Sequence, residues 1–290
     1  MSNRTTAVPY LSSAAQHAWR HLVEAPRPGA RIAIVVAHPD DEVIGIGAQL
    51  HRWATNAICV YATDGSPADE RDARAAGFTG GAAYAAARAA EARAALAIAG
   101  IPPGQIRHLR FRDQQLIDDV DALALALDGL LTGERPDFVL THAFEGGHPD
   151  HDTLSLAVGR AVTAAQRHGA DIAPVIEFAG YFEGADGSLV TNRFASASGS
   201  ERQLRMSSPD RRRKEAMLAC FATQQHVLQR FGSAEEWLRL APRYDFRRQP
   251  NGGRAWYDRL GWAMTSAEWT GRAISFLDRV PLPSVSNAAC

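Results

Sequence analysis

The stretch IAIVVAHPDDEVIGIG, residues 32–47, decides how the chain is read. Ile32 to Ala37 form an unbroken apolar, largely β-branched run, the pattern of a strand buried on both faces. His38, Pro39, Asp40, Asp41 and Glu42 follow at once. Then Val43, Ile46, Leu50 and Trp53 recur on one stripe, which predicts a helix over residues 42–54. An imidazole and three carboxylates therefore stand where a strand hands over to a helix. Holding them near a core without a partner is costly, and a cation supplies one. The competing reading is an acidic helix start, since carboxylates favour a helix N-terminus. Gly45 and Gly47 do not make a dinucleotide fingerprint, because they fall inside the helical stripe and the third glycine is missing.

Working outward, AICVYAT (57–63) predicts a second strand, and residues 64–81 a long polar, glycine-rich loop. Residues 82–100 predict a helix, 105–111 a strand, 119–133 a helix and 137–143 a strand. A helix at 151–169 and a strand at 173–182 follow. This alternation predicts an α/β fold with a Rossmann-like, mostly parallel sheet and helices on both faces. Beyond residue 190 the pattern weakens, apart from a helix at 208–231. The expected organisation is a single domain with a core at about residues 30–182 and a C-terminal extension over 190–290. In such sheets ligands bind beyond the carboxyl ends of the strands, where His38 to Glu42 are expected.

A second cluster, THAFEGGHPDHDTLSLA (141–157), begins at the end of another expected strand and supplies His142, Glu145, His148, Asp150, His151 and Asp152. A lone histidine is usually a satisfied polar residue. Two His-Pro-Asp tripeptides at two strand ends are not easily accidental, and His, Asp and a second His suit a zinc site that keeps one position for water.

The bulk composition narrows the function classes. Acidic and basic residues number 32 and 31, so no global field points to nucleic acid. No run approaches the roughly 18 apolar residues of a membrane span. Cys59, Cys220 and Cys290 are far apart, which argues against a disulfide framework or a thiolate metal site. The first twenty residues lack a secretory pattern, so the expectation is a cytoplasmic protein. A homo-oligomer is left open. RRRK (211–214) reads as a solvated helix face, and Trp237, Trp256, Trp262 and Trp269 as packing residues before sugar-stacking ones. His51, His108, His168 and His226 look isolated.

AHPDDE (37–42) and GHPDH (147–151), each after a strand, resemble the two motifs of the PIG-L/LmbE-like zinc-dependent N-deacetylases. TDG (63–65), RAAE (88–91) and FRDQQL (111–116) resemble softer motifs of that family, and the likeness covers roughly residues 30–180. The resemblance implies a hydrolase that removes an acetyl group from an N-acetylglucosamine-like amino sugar. It implies that His38, Asp41 and His151 hold zinc, with Fe(II) also compatible with such a donor set. It makes Asp40 the general base and His148 either the oxyanion partner or the general acid. Asp150 is then an orienter of His148 or a helix cap, and Arg88 and Asp113 are substrate contacts. The plain alternative for Arg88 is a surface pair with Glu91, and for Asp113 a turn. Some relatives carry a tyrosine just before the second motif, where this chain has Gly146 and Gly147. Another N-acyl substrate, or a binding module without turnover, are the competing functions.

Overall fold

The structure is a computed structural model and describes residues 20, 22, 29–167, 169 and 175–279. His168 and Cys290 lie outside the described residues.

The expected first strand is β1, Ile32–Val36. Its alternate residues enter two cores. Ile32, Ile34 and Val36 join one apolar cluster, and Ala33 and Val35 another. That is the period-two signature of a strand covered on both faces. β2 (Ala57–Pro67), β3 (Ile106–Asp113), β4 (Phe138–His142) and β5 (Ile176–Phe178) complete the parallel part of the sheet. Two strands from the C-terminal region, β8 (Arg202–Gln203) and β9 (Trp237–Leu240), add antiparallel at the edge beyond β5. In chain numbering the order is 3-2-1-4-5-9-8, the shorter pair β6 (Tyr181–Glu183) and β7 (Leu189–Thr191) forming a sheet of its own.

Helices cover both faces. Residues of the helices Asp41–Ile46, Gly81–Ile98 and Ser208–Leu218 pack on the Ile34 side. Residues of Val120–Glu134 and Pro149–Arg167 pack on the Val35 side. The fold is therefore the expected α/β type. The chain leaves β1 for β2 on one side and reaches β4 on the other, so the sheet reverses its order between β1 and β4. A crevice opens beyond strand ends at such a point.

Several expected boundaries move for visible reasons. The helix expected over 42–54 is two helices, Asp41–Ile46 and Leu50–Trp53, separated by a tight turn in which Gln49 N–H donates to Ile46 O at 2.9 Å. The expected loop 64–81 begins as a continuation of β2 to Pro67 and contains a short helix, Arg71–Ala75. β2 runs that far because β3 pairs with it as far as Asp113, through two register shifts. The strand expected over 173–182 breaks at Ala179–Gly180, and its halves enter different sheets. The helix expected over 208–231 stops at Leu218; its start is fixed by Ser207, which caps the Asp210 N–H while Asp210 bonds back to Ser207.

Lys214 corrects the reading of 211–214 as a solvated face. Arg211 and Arg212 are exposed, but Lys214 is 0 % exposed. Its ammonium donates to Ile44 O at 2.7 Å and to Glu236 Oε1 at 2.9 Å, and that same oxygen accepts Ala48 N–H at 2.8 Å. A buried charge persists only when paired in this way.

Candidate metal centre and active site

β1 ends at Val36 and β4 at His142, so the two clusters of the sequence meet at the crevice where the sheet order reverses. His38 comes from the turn after β1, and Asp41 opens the helix that follows it. His151 comes from the first turn of the helix Pro149–Arg167. His38 Nδ1 lies 3.3 Å from Asp41 Oδ2, His151 Nε2 lies 3.2 Å from Asp41 Oδ1, and the two imidazole nitrogens are 3.3 Å apart. Ligands of a tetrahedral ion with bonds of about 2.0–2.1 Å stand roughly 3.3–3.4 Å from one another. Two imidazoles and a carboxylate at this spacing fit a divalent metal ion.

The surrounding bonds favour that use. His38 Nε2 faces the carboxylates of Asp113 at 3.0 Å and Asp150 at 3.3 Å, which places its proton on Nε2 and leaves Nδ1 as the donor atom. Burial opposes a charged His38, yet Asp113, and then Asp150 and Asp41, outweigh it and hold its pKa well above the ordinary value. Asp41 is the mirror case. Burial works against its charge, but His151 and His142 beside it bring its pKa well below the usual carboxylate range. His142 is not a free ligand, because its Nε2 accepts the Ala37 N–H at 3.0 Å. It stacks instead on the His151 ring, with centroids 3.8 Å apart. Burial first, and then His151, push its pKa down to about 4, so it stays neutral. The sequence showed His142 as a member of the cluster without a role; its place under His151 depends on the pairing of strands.

Asp40 does not face the triangle of donors in the same way. Its Oδ2 accepts from Arg88 Nη2 at 2.8 Å, and Arg88 is only 4 % exposed. Arg88 also donates to Gly65 O at 2.8 Å. The expected alternative, a surface pair with Glu91, is excluded: Glu91 bonds Thr223 instead. Gly65 explains the TDG turn. Its φ is +67°, and a Cβ there would stand 2.5 Å from Arg88 Nη1. Burial raises the pKa of Asp40 against the pull of Arg88.

Asp150 also departs from expectation. Its carboxylate does not reach the His148 ring. It turns to His38 and accepts the backbone N–H groups of Gln114 at 2.7 Å and Leu116 at 3.1 Å. Only the Asp150 backbone meets His148, donating to its Nδ1 at 3.1 Å. That bond leaves the His148 proton on Nε2, 3.8 Å from Asp113 Oδ1. Burial first, and then the neighbouring imidazoles of His38 and His151, hold the pKa of His148 well below its ordinary value. Asp113 is likewise no exposed turn residue: it is buried against His38.

These side chains line a cavity of about 340 Å³ that includes His38, Asp40, Asp41, Arg88, Asp113 and His148. Sequence reasoning missed part of the lining. Tyr181 sets its ring edge against His151, with centroids 5.4 Å apart. It also gives the Gly146-Gly147 pair a reason, since a Cβ on Gly147 would meet the Tyr181 carbonyl oxygen at 2.2 Å. Trp256 and Trp262 line the cavity, whereas Trp269 is core and Trp237 lies in the strand next to the sheet edge. His226, expected to be isolated, stands at the mouth. No motif at residues 181–262 announces these positions.

A family model described as PIG-L, GlcNAc-PI de-N-acetylase, matches residues 33–165. No curated protein sequence matches the chain. Among solved structures, a pseudoaglycone deacetylase acting on an antimicrobial reagent aligns with 75% of this chain and 99% of its own, at 23% identity and a TM-score of 0.55. The N,N′-diacetylchitobiose deacetylase of Pyrococcus horikoshii aligns with 74% of this chain and 82% of its own, at 18% identity and a TM-score of 0.52. The 4-carboxy-2-hydroxymuconate hydratase of Pseudomonas putida also aligns, over 74% of this chain and 98% of its own, at 20% identity and a TM-score of 0.52. At these identities the likeness is one of fold. Among the described residues no helix is long and apolar enough to cross a membrane.

Proposed function

We propose, for a chain that belongs to the PIG-L family through residues 33–165, a zinc-dependent hydrolase that removes an N-acetyl group from an amino-sugar conjugate. The observation that carries this reading is the cluster of His38, Asp41 and His151 donors, in which Asp41 meets His38 through Oδ2 at 3.3 Å and His151 through Oδ1 at 3.2 Å and the two imidazole nitrogens lie 3.3 Å apart, with the carboxylate of Asp40 beside it. Those three residues would hold the ion, which when bound supplies an acidified water and a Lewis acid for the acyl oxygen.

The rest is the work of the protein's own groups. Asp40 takes a proton from the attacking water, and burial suits it to that task by raising its proton affinity. Arg88 fixes the carboxylate through the 2.8 Å bond and keeps it turned to the cavity. This makes Arg88 a positioning residue rather than the sugar contact that the motif suggests. His148 presents Nε2–H to the cavity, because Nδ1 is occupied by the Asp150 N–H. It therefore stabilises the acyl oxygen as a neutral donor. The water oxygen bonds to the acyl carbon, the carbon–nitrogen bond breaks, and Asp40 passes its proton to the departing amine. Acetate and a free amino sugar result. Asp113 and Asp150 keep the His38 ring oriented.

The hydratase fold neighbour makes a direct assay the deciding test. The chain is purified without chelator, its metals are quantified, and acetate release is followed on a panel of N-acetylglucosamine conjugates. About one zinc per chain with chelator-sensitive release is the expected outcome. Absence of metal after reconstitution with zinc or iron would overturn the reading.

A further inference from the structure

The cavity has two unlike walls. One is made by the motif residues and is polar, with Asp40, Arg88, Asp113 and Gln114. The other comes wholly from beyond residue 165 and is mainly apolar, with Leu189, Val227, Phe231, Trp256, Leu260 and Trp262, although Gln224, His226 and Arg230 also line it. The two tryptophans are built into place. The backbone N–H of Trp256 donates to Gly146 O at 2.7 Å, and Tyr257 Oη donates to Asp152 Oδ2 at 3.2 Å, so this segment is docked on the second motif. The Trp262 ring stands edge-on to the His148 ring, with centroids 4.8 Å apart and planes at 66°. The apolar wall therefore begins one ring away from the group placed at the scissile amide.

The indole N–H groups sharpen the contrast. Trp269 donates to Thr153 Oγ1 at 2.9 Å and Trp237 to Glu235 Oε2 at 3.4 Å. Among the described residues the indole N–H groups of Trp256 and Trp262 donate to no protein group, and both side chains are partly buried on the cavity. A second sugar ring on this side would press its hydroxyls against Leu189, Val227, Phe231 and Leu260 and leave them unsatisfied. Of the cations on the cavity, Arg88 is held by Asp40 and Arg71, at the mouth, is bonded to Asp69, so an anionic group would meet only the exposed Arg230 and His226. A planar apolar ring finds both indoles, and an ether or phenolic oxygen on it finds their N–H groups. A cavity of about 340 Å³ takes one sugar and one such ring, because pockets that hold drug-sized ligands begin near this size.

We propose that the substrate is an amino sugar carrying a single aromatic aglycone, seated against Trp256 and Trp262. The sugar half rests on the deacetylase reading above; the aromatic half rests on the apolar wall.

The test uses ligands without an amide, so that binding is read apart from turnover. Phenyl glucosides of both anomers, the matching methyl glucosides, and cellobiose are titrated into the purified full chain by calorimetry. One phenyl glucoside is expected to bind about tenfold more tightly than its methyl counterpart, with cellobiose no tighter than methyl. Trp262→Leu, which keeps an apolar side chain without the ring, is expected to erase that preference while the melting temperature stays close to wild type. Trp256→Leu repeats the test should the first variant fail to fold. Equal binding of phenyl and methyl glucosides, tighter binding of cellobiose, or equal weakening of all ligands in the folded variant would each overturn the proposal. A phenyl preference without hydrolysis of any acetamido sugar leaves the aromatic site standing and removes the deacetylase reading. Hydrolysis without a phenyl preference does the reverse.

Discussion

The tripeptide His-Pro-Asp occurs at residues 38–40 and again at 148–150, and the two copies divide their labour in opposite ways. In the first, the histidine turns to the donor triangle and the aspartate stands over the cavity on Arg88. In the second, the aspartate turns inward to His38 and two backbone N–H groups, and the histidine stands over the cavity. The helix start separates them. The first helix begins at Asp41, so Asp40 precedes it with an extended φ of 167°. The second begins at Pro149, so Asp150 already lies inside the first turn. The residue after each tripeptide, Asp41 or His151, has the same place in both: each lies within 3.3 Å of another member of the donor cluster. An identical tripeptide thus acquires its role from where the helix starts.

The histidines offer the strongest way to break this comparison. His38→Ala is expected to abolish both bound metal and acetate release. His148→Ala is expected to keep the metal, read by elemental analysis, while hydrolysis falls by roughly 10²-fold or more. Equal metal loss in both variants would mean that the two copies act alike.

The aspartates give the next largest effect. Asp40→Asn is expected to lower kcat by roughly 10²-fold with metal affinity unchanged. Asp150→Asn is expected to weaken metal affinity by roughly 10–100-fold, because it removes a brace from His38. A chelator competition titration separates the two, and interchange of these outcomes would refute the assignment.

The smallest effect tests Glu42, which stands two residues after Asp40 as Asp152 stands two residues after Asp150. It is 0 % exposed and accepts from Tyr61 Oη at 2.7 Å. Burial lifts its pKa from 4.5 to about 8. The folded chain therefore keeps this proton across a range in which the unfolded chain releases it. Glu42's share of stability is full below about 4.5 and is lost as pH rises towards about 8, by about 1.4 kcal/mol per pH unit at most. Glu42→Gln is expected to flatten that slope in melting temperatures measured from pH 5 to 9. An unchanged slope would show that Glu42 is ionised in the fold.

The sequence made the first half of this architecture readable because its strands are continuous β-branched runs and its ligands sit at their ends. The α/β alternation and the meeting of His38 with His151 follow from that pattern. What escaped it were contacts between distant segments. RAAE suggests a substrate contact for Arg88, with a pair to its neighbour Glu91 as the alternative, yet its partner is Asp40, 48 residues away. Asp150 was set beside His148 by adjacency, yet its carboxylate meets His38, 112 residues away. APVIEFAGYF (173–182) reads as one strand because nothing local shows that its halves pair with different partners. The aromatic lining from Trp256 and Trp262 has no periodicity at all, since it lies in a 3-10 turn and a loop.

Lys214 and Glu236 carry a consequence for anyone who would transplant this site. They hold Ile44 O and Ala48 N–H, at the far end of the helix that Asp41 opens. Both holders lie outside residues 33–165, the stretch that the family model matches. A chimera built by moving that stretch alone onto another scaffold would strip two backbone groups of their partners directly behind the donor triangle. The portable unit must carry residues 208–240 with it, and a designer who swaps the aromatic wall for a new specificity should cut after Leu240, not before Lys214.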